Sequence, residues 1–545
     1  MKRPIKKALS FLTAAMITVT ASIGSITASA AAPSSSIKAT QLISESYSSV
    51  IGTSEGALFV SKSSIKEESH TDDYGYTSTT KYYNVGSDAD IQLVNKSGKK
   101  VKVSNTIGFT RIYEICSGYN WSTNSNRYDI SVKYYEARGA VLGVGKGDGK
   151  VAVLLPDGSF LENGKYFDDA AGTGSLISVI SGSNTIYYTT SGKKLTSIKT
   201  GKYGDLYSYD ISNKAFMFRQ YDSAKSTYVF TVLNSSGKTF KYKTSAWRGA
   251  GFTEDNKNNL IVYGYKYDKK DNAVYTYYDL NGSKISEPAS TTKYALTYTI
   301  DLDRETYTNN IKILKSDGTV VKDVKIAYGE KGAITHVCES GDKLILAYKD
   351  GLFIYNRKTG KLELSDTKNG YNGIYTVTEN GTAVLCVGKE VTETWGTYFK
   401  TVGYVYYNGK TLSAQYDDIK PTSYLYYSSH ADGEYYVNEA KTSFILYRND
   451  KIGLMDYTGK VVLKPKYKSY YYIDRQIAVF DNGSKRIVYN SVNGKTVLKS
   501  VRCADPSGGE SYYEGPISVR TLGTKGHRII TTNSKGTKFG IVIIK

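Results

Sequence analysis

The chain has 545 residues, 71 Lys and Arg against 51 Asp and Glu, and a formal net charge of +20. That length can bury an ample core without staples, and its four cysteines, Cys116, Cys338, Cys386 and Cys503, form neither a disulfide framework nor a C-x-x-C motif. The histidines His70, His336, His430 and His527 do not fall at a metal-ligand spacing, and the cations gather into no compact basic run, so neither a metal centre nor a nucleic-acid interface is expected.

Lys2, Arg3, Lys6 and Lys7 precede an uncharged stretch from Ala8 to Thr27, and Ala28-Ser29-Ala30 offers a small-x-small cleavage pattern. Residues 1–30 therefore read as a signal peptide. The stretch is rich in Thr and Ser and weakly apolar for a spanning helix, and no second long apolar run follows. The mature chain is expected to be secreted, extracellular or associated with a cell wall, with no transmembrane segment. Without the four signal cations it carries 67 Lys and Arg against 51 Asp and Glu, a net charge of +16. Outside the cell that balance favours anionic surfaces, although Lys on exposed turns and strand edges also blocks edge pairing.

From Gly98 onward one hairpin signature recurs: an apolar-aromatic strand, a short turn ending in Gly, Lys or Ser, and a second short strand. Clear copies are IQLVNKSGKKVKV at Gly98, VLNSSGKTFKYK at Gly237, YYDLNGSKIS at Gly282, IKILKSDGTVV at Gly318, FIYNRKTGKLEL at Gly360, YVYYNGKTL at Gly409, GLMDYTGKVVL at Gly459 and IVYNSVNGKTVL at Gly494. Weaker ones sit at Gly158, Gly192 and Gly536. The mean period is about 44 residues, the length of one four-stranded blade in a radial β repeat. Val, Ile, Tyr, Phe and Thr alternate with polar residues as in half-buried antiparallel strands, Gly at the tip supplies the positive φ of a tight turn, and 8 prolines leave the ladders uninterrupted. The expectation is an all-β chain of β-propeller-like four-stranded blades. Eleven units exceed the usual blade number of one ring. The segment Ser286–Lys293 then divides a first propeller-like domain over 31–287 from a second over 288–545, with one large propeller and an open solenoid as the alternatives.

Two copies carry family resemblances. The run from Lys451 to Tyr467 resembles a WG repeat, with Ile452 where that family has Trp, and Gly351 to Leu364 is similar to a quinoprotein-type blade motif without its docking Trp. Both resemblances imply a propeller. No ligand residues of the quinone-linked enzymes match, so neither a cofactor nor a dehydrogenase activity is carried over.

No G-x-S-x-G elbow or H-E-x-x-H metal motif occurs. The acidic pairs Asp72-Asp73, Asp168-Asp169 and Asp417-Asp418 stand where turn-forming Asp accounts for them, although a glycosidase needs two converging carboxylates. No catalytic residue is assigned. The positive signal is aromatic: 52 tyrosines and three tryptophans. In a meander blade successive turns alternate between the two ends of the sheet. Second-to-third loops and blade-to-blade connections thus share one face, and Trp121, Trp247 and Trp395 all fall there. They are the candidate binding residues, with packing across blade boundaries as the other account of them. The expected function is a non-catalytic binding or scaffold protein for an anionic polysaccharide or cell-wall polymer. An extracellular protein partner is the second reading, and a carbohydrate-active enzyme on the same frame the third.

Overall fold

The computed structural model describes residues 36–53, 56–71, 77–95, 97–114, 122–123, 142–173, 176–210, 215–247, 249–254, 259–268, 273–287, 294–303, 308–327, 336–378, 380–394, 396–422, 425–426, 435–437, 443–474, 476–504, 518–522 and 526–545. The signal segment and Cys116 lie outside them. The architecture is all-β and propeller-like, with eleven sheets among the described residues. In chain order they are sheet 1 over 49–102, sheet 2 over 63–154, sheet 3 over 169–199, sheet 4 over 205–244, sheet 5 over 250–285, sheet 6 over 296–327, sheet 7 over 337–366, sheet 8 over 370–407, sheet 9 over 418–467, sheet 10 over 470–501 and sheet 11 over 519–544. Seven are four-stranded. Four of these, sheets 3, 5, 7 and 10, are plain meanders, because short turns join neighbouring antiparallel strands. Sheets 2, 4 and 8 are enlarged at the edge of their first strand: Thr77–Val85 pairs with Arg111–Glu114, Ser122–Thr123 with Asp205–Asp210, and Tyr435–Val437 with Gly370–Thr378.

The strands within a sheet differ in burial, and their sequences follow that difference. Middle strands are covered on both faces: Gly56–Val60 is buried throughout, and in Lys343–Tyr348 only the first residue is not. They read as unbroken apolar runs, since no face is left for polar residues. Outermost strands such as Lys100–Lys102 and Lys194–Lys199 keep the alternation and face water along one side. Apolar clusters pack each sheet against the next from 6 to 11, from 11 to 1, and on from 1 to 5. The boundary expected at 287/288 falls between sheets 5 and 6.

Sheet 11 departs from chain order. Its fourth strand is Ala39–Tyr47, paired antiparallel with Phe539–Ile544 in the register Ala39↔Ile544, Gln41↔Val542 and Tyr47↔Phe539. The hairpin at Gly536 therefore joins second to third strands. The Gly98, Gly192, Gly237, Gly282, Gly360, Gly459 and Gly494 hairpins join third to fourth. Buried polar residues on consecutive positions of the second strand, Gly526–Thr532, tie this sheet to both neighbours. The Arg528 guanidinium donates to the Gly56 carbonyl of sheet 1, and the ring of His527 meets Asp474 beside sheet 10.

The hairpin signature has a second half beyond its glycine. Asn234 Oδ1 accepts from the backbone N–H of Ser236 and Lys238, both at 3.0 Å, and Gly237 N–H closes the turn onto the Asn234 carbonyl at 3.0 Å. Asn95, Asp279 and Asp456 hold the Gly98, Gly282 and Gly459 turns in the same way. An Asn or Asp three residues before the Gly thus replaces two lost ladder bonds with side-chain acceptors. Asn234 also reaches the next blade, where its Nδ2 donates to the Leu280 carbonyl at 3.0 Å. Asn234→Ala should therefore cost about 2 kcal/mol, because the buried Asn234 side chain serves partners on both sides. Chemical denaturation would read this as a lower midpoint with an unchanged slope, and an unchanged midpoint would refute it.

Cys338, Cys386 and Cys503 are buried thiols outside any disulfide. Burial and the nearby Asp418 push the Cys386 thiol up to about 12, so it serves as a small apolar side chain.

Candidate functional site

The second strands of sheets 4 and 5, Ala215–Asp222 and Leu260–Tyr267, each run eight residues. In the first, Ala215 to Phe218 are buried and Arg219 to Asp222 emerge. Where the chain leaves its neighbours, a tyrosine can no longer pack inward, and the overhang becomes aromatic surface. Tyr221 stacks at a tilt on its ladder partner Tyr228, with ring centroids 4.8 Å apart. Trp247, 53% exposed, sits at the same end in the connection from sheet 4 to sheet 5. That connection is pinned: Thr244 Oγ1 donates to the Tyr265 carbonyl at 2.9 Å, and Tyr265 N–H donates to the Gly249 carbonyl at 2.8 Å.

Arg219 is the centre of this surface. Its guanidinium carbon lies 4.7 Å from the Tyr207 ring centroid, 5.3 Å from that of Trp247 and 5.9 Å from that of Tyr228. Its Nη1 donates to the Trp247 carbonyl at 3.4 Å. Asp205 stands opposite Arg219 in the ladder, yet among the described residues no carboxylate forms an ion pair with Arg219. The backbone beneath is held close. Gly204 has φ +80°, and a Cβ there would overlap the Arg219 carbonyl oxygen, so only glycine fits that turn.

The aromatic surface continues onto sheet 5. Tyr265 meets Tyr275 at 5.3 Å and Tyr267 at 5.7 Å, and Tyr275 meets Tyr263 at 6.1 Å. Burial first, then the neighbouring hydroxyls of Tyr267, Tyr275 and Tyr207, push the Tyr265 phenol well above its ordinary range. Tyr207 of sheet 4 is thus near enough to Tyr265 of sheet 5 to act on its phenol. Of the ten large apolar side chains exposed among the described residues, five lie on sheets 4 and 5 or in the connection between them: Tyr221, Trp247, Tyr267, Val274 and Tyr275. An exposed cluster of this kind marks a binding surface more often than chance scatter does.

Trp247 is where the alternation of turns places it, at the loop end shared by second-to-third hairpins and inter-blade connections. Trp121 and Trp395 lie outside the described residues. Tyr275 belongs to the tyrosine cluster VYTYY that the sequence displays from Val274. Sequence reasoning missed Arg219, Tyr221 and Tyr267. The signal for the first two was the length of the run AFMFRQYD, longer than the outermost strands of most blades. The acidic pairs do turn work where they are described: Asp168 accepts from Gly182 N–H at 2.7 Å, Asp169 from Ala170 N–H at 2.8 Å, and Asp417 from Asn449 N–H at 2.6 Å. His336 is bound to the Ala347 carbonyl at 2.9 Å beside buried Cys338. The arrangement at Arg219 offers flat stacking faces and a planar cation, a combination suited to holding a ring that bears a negative charge.

No protein-family model matches the chain and no curated protein matches it significantly. Solved structures to which it is similar include a eukaryotic initiation factor at 10% identity, covering 71% of this chain and 88% of that one with a TM-score of 0.30. Another is the β-propeller domain of the Trilobed protease from Pyrococcus furiosus, at 9% identity, 65% and 88% coverage and a TM-score of 0.18. The WD40 domain of SCAP from fission yeast has 10% identity, 80% and 97% coverage and a TM-score of 0.19. At those scores overall shape does not agree, and the sheet order of the chain itself carries the fold assignment. Neither the WG nor the quinoprotein resemblance gains support from these matches.

Proposed function

We propose that this protein is an exported, non-catalytic binding scaffold for an anionic glycan or cell-wall polymer, and that the aromatic–arginine surface of sheets 4 and 5 is its contact face. The observation that carries this reading is Arg219, whose guanidinium lies over Tyr207, Trp247 and Tyr228 with no ion pair to a carboxylate among the described residues. A cation stacked on aromatic faces recognises an anion while the rings take a sugar face. The N-terminal signal pattern supports export, and the net charge of the mature chain suits a polyanion. A protein partner is the second reading, favoured by the exposed apolar side chains Tyr267, Val274 and Tyr275 of sheet 5.

A panel of acidic and neutral glycans, read by calorimetry, tests the proposal. Trp247→Ala should weaken binding of acidic glycans by about tenfold, the worth of one stacking contact. Arg219→Gln should abolish the preference for acidic over neutral glycans. Trp247 is half exposed, so its variant should melt at the parent temperature. Equal affinity of parent and Trp247→Ala would reject this face, and no binding by the parent across the panel would move the assignment to a protein partner.

A further inference from the structure

The outermost strands of sheets 3, 4 and 5 are Lys194–Lys199, Thr239–Thr244 and Lys284–Ile285. They carry Lys194, Lys199, Lys241, Lys243 and Lys284, and Lys193 and Lys238 stand at the turns just before two of them. All seven are exposed, and none of the three strands contains an acidic residue. Among the described residues none of the seven forms an ion pair. Edge protection alone does not require this. The outermost strand Leu362–Asp366 of sheet 7 holds Glu363, paired with Lys343, and Asp366.

Apolar clusters pack sheet 3 on sheet 4 and sheet 4 on sheet 5, so the three cationic edges lie side by side. In Thr239–Thr244, Tyr242 is buried against sheet 5, which places Lys241 and Lys243 together on the other side of the strand. Their Cα atoms are two strand residues apart, about 7 Å. The spacing of phosphates along an extended polyol-phosphate chain is of that order. The strand also has a direction: from Lys238 it runs to Lys243 and on, within four residues, to Trp247 and the Arg219 surface.

We propose that the outer edges of sheets 3 to 5 form a cationic track for a linear, phosphodiester-linked polyol polymer, which leads the chain onto the aromatic–arginine face. This rests on the anionic-polymer reading above and adds the polymer's chemistry and the surface that holds it.

The test uses the mature full-length protein, purified poly(glycerol phosphate) and polygalacturonate as probes, and a salt series. One variant replaces Lys194, Lys199, Lys238, Lys241, Lys243 and Lys284 by Gln. A control replaces Lys99, Lys349, Lys410, Lys460, Lys485 and Lys535 by Gln, removing the same charge from other exposed positions. At low salt the track variant should bind poly(glycerol phosphate) at least about tenfold more weakly than the parent, with a flatter salt dependence, because six screened contacts are lost. The control should stay within about twofold, and thermal melts of both should match the parent. Equal losses in the two variants, or none in the track variant, would overturn the track while leaving the contact face at Trp247 standing. Preference of the parent for polygalacturonate would overturn the phosphodiester assignment, and binding to neither polymer would overturn the anionic-polymer reading itself.

Discussion

Deletion of residues 36–47 is expected to cost the protein most of its stability and to make it aggregate. The strand Ala39–Tyr47 is bonded along its length to Phe539–Ile544, and the pairing is prolonged by Lys38 N–H to the Lys545 carbonyl at 2.7 Å and the reverse bond at 3.0 Å. Ile43 enters the apolar cluster between sheets 11 and 1, and Tyr47 lies edge-on to Phe59 at 5.6 Å while donating to Asp90 at 2.7 Å. The lost ladder bonds and buried Ile43 together are worth on the order of 5 kcal/mol or more, comparable to the whole net stability of many domains. The deletion also bares the segment FGIVII, an uncharged β-prone edge of the kind that pairs with other copies. A shortened chain starting at residue 48 should elute as aggregate on size exclusion or melt far below the parent. Added peptide 36–47 should restore the monomer. A truncated chain that is monodisperse and melts with the parent would show that the closing strand is dispensable.

The same strand marks the limit of what the sequence makes legible. Blade existence and spacing are local: the Gly at the tip, the Asn or Asp three residues before it, and the short strand on each side lie within a dozen residues, so Gly98, Gly237, Gly282 and Gly459 announce their hairpins. The partner of Ala39–Tyr47 is some 500 residues away, and nothing in ATQLISESY says which edge it completes. For that reason Gly536, which looks like its fellows, belongs to a different turn of its sheet. Alternation was also read too widely. It holds for outermost strands, whereas Gly56–Val60 and Lys343–Tyr348 lie between two neighbouring sheets and have no polar side. Trp247 was legible as a loop aromatic because turns alternate between ends. Arg219 was not, since a cation in a strand looks like any solvent-facing residue until the rings of Tyr207, Trp247 and Tyr228 are seen around it.

Asp474 is the second position where a large loss is expected. Its carboxylate is largely buried and fully engaged: Oδ2 meets His527 Nε2 at 2.5 Å and accepts from the Tyr472 hydroxyl at 3.0 Å, while Oδ1 accepts from Gln476 and Ile477 N–H, both at 2.8 Å. Burial alone would raise its pKa. The His527 ring and the two backbone N–H groups outweigh burial and hold it below the usual carboxylate range. Replacing it by Ala leaves His527 and two backbone donors buried without their acceptor, at a cost of about 3–5 kcal/mol. Because the folded-state pKa is lowered, the stabilising contribution is fully present above the unfolded carboxylate value, about 3.9, and is lost as pH falls through the folded value. His336 acts earlier on the acid side. Burial lowers its pKa despite the bond to the Ala347 carbonyl, so its contribution is present above about 6.5 and declines as pH falls below that. Denaturation midpoints measured from pH 7 to 3 should therefore fall in two stages, one below about pH 6.5 and one in the carboxylate range. Asp474→Asn keeps the shape, and should shift the midpoint at pH 7 and flatten the second stage while leaving the first in place. An Asp474→Asn protein with the parent's midpoint at pH 7 would mean that the carboxylate bound to His527 does not hold sheet 10 to sheet 11.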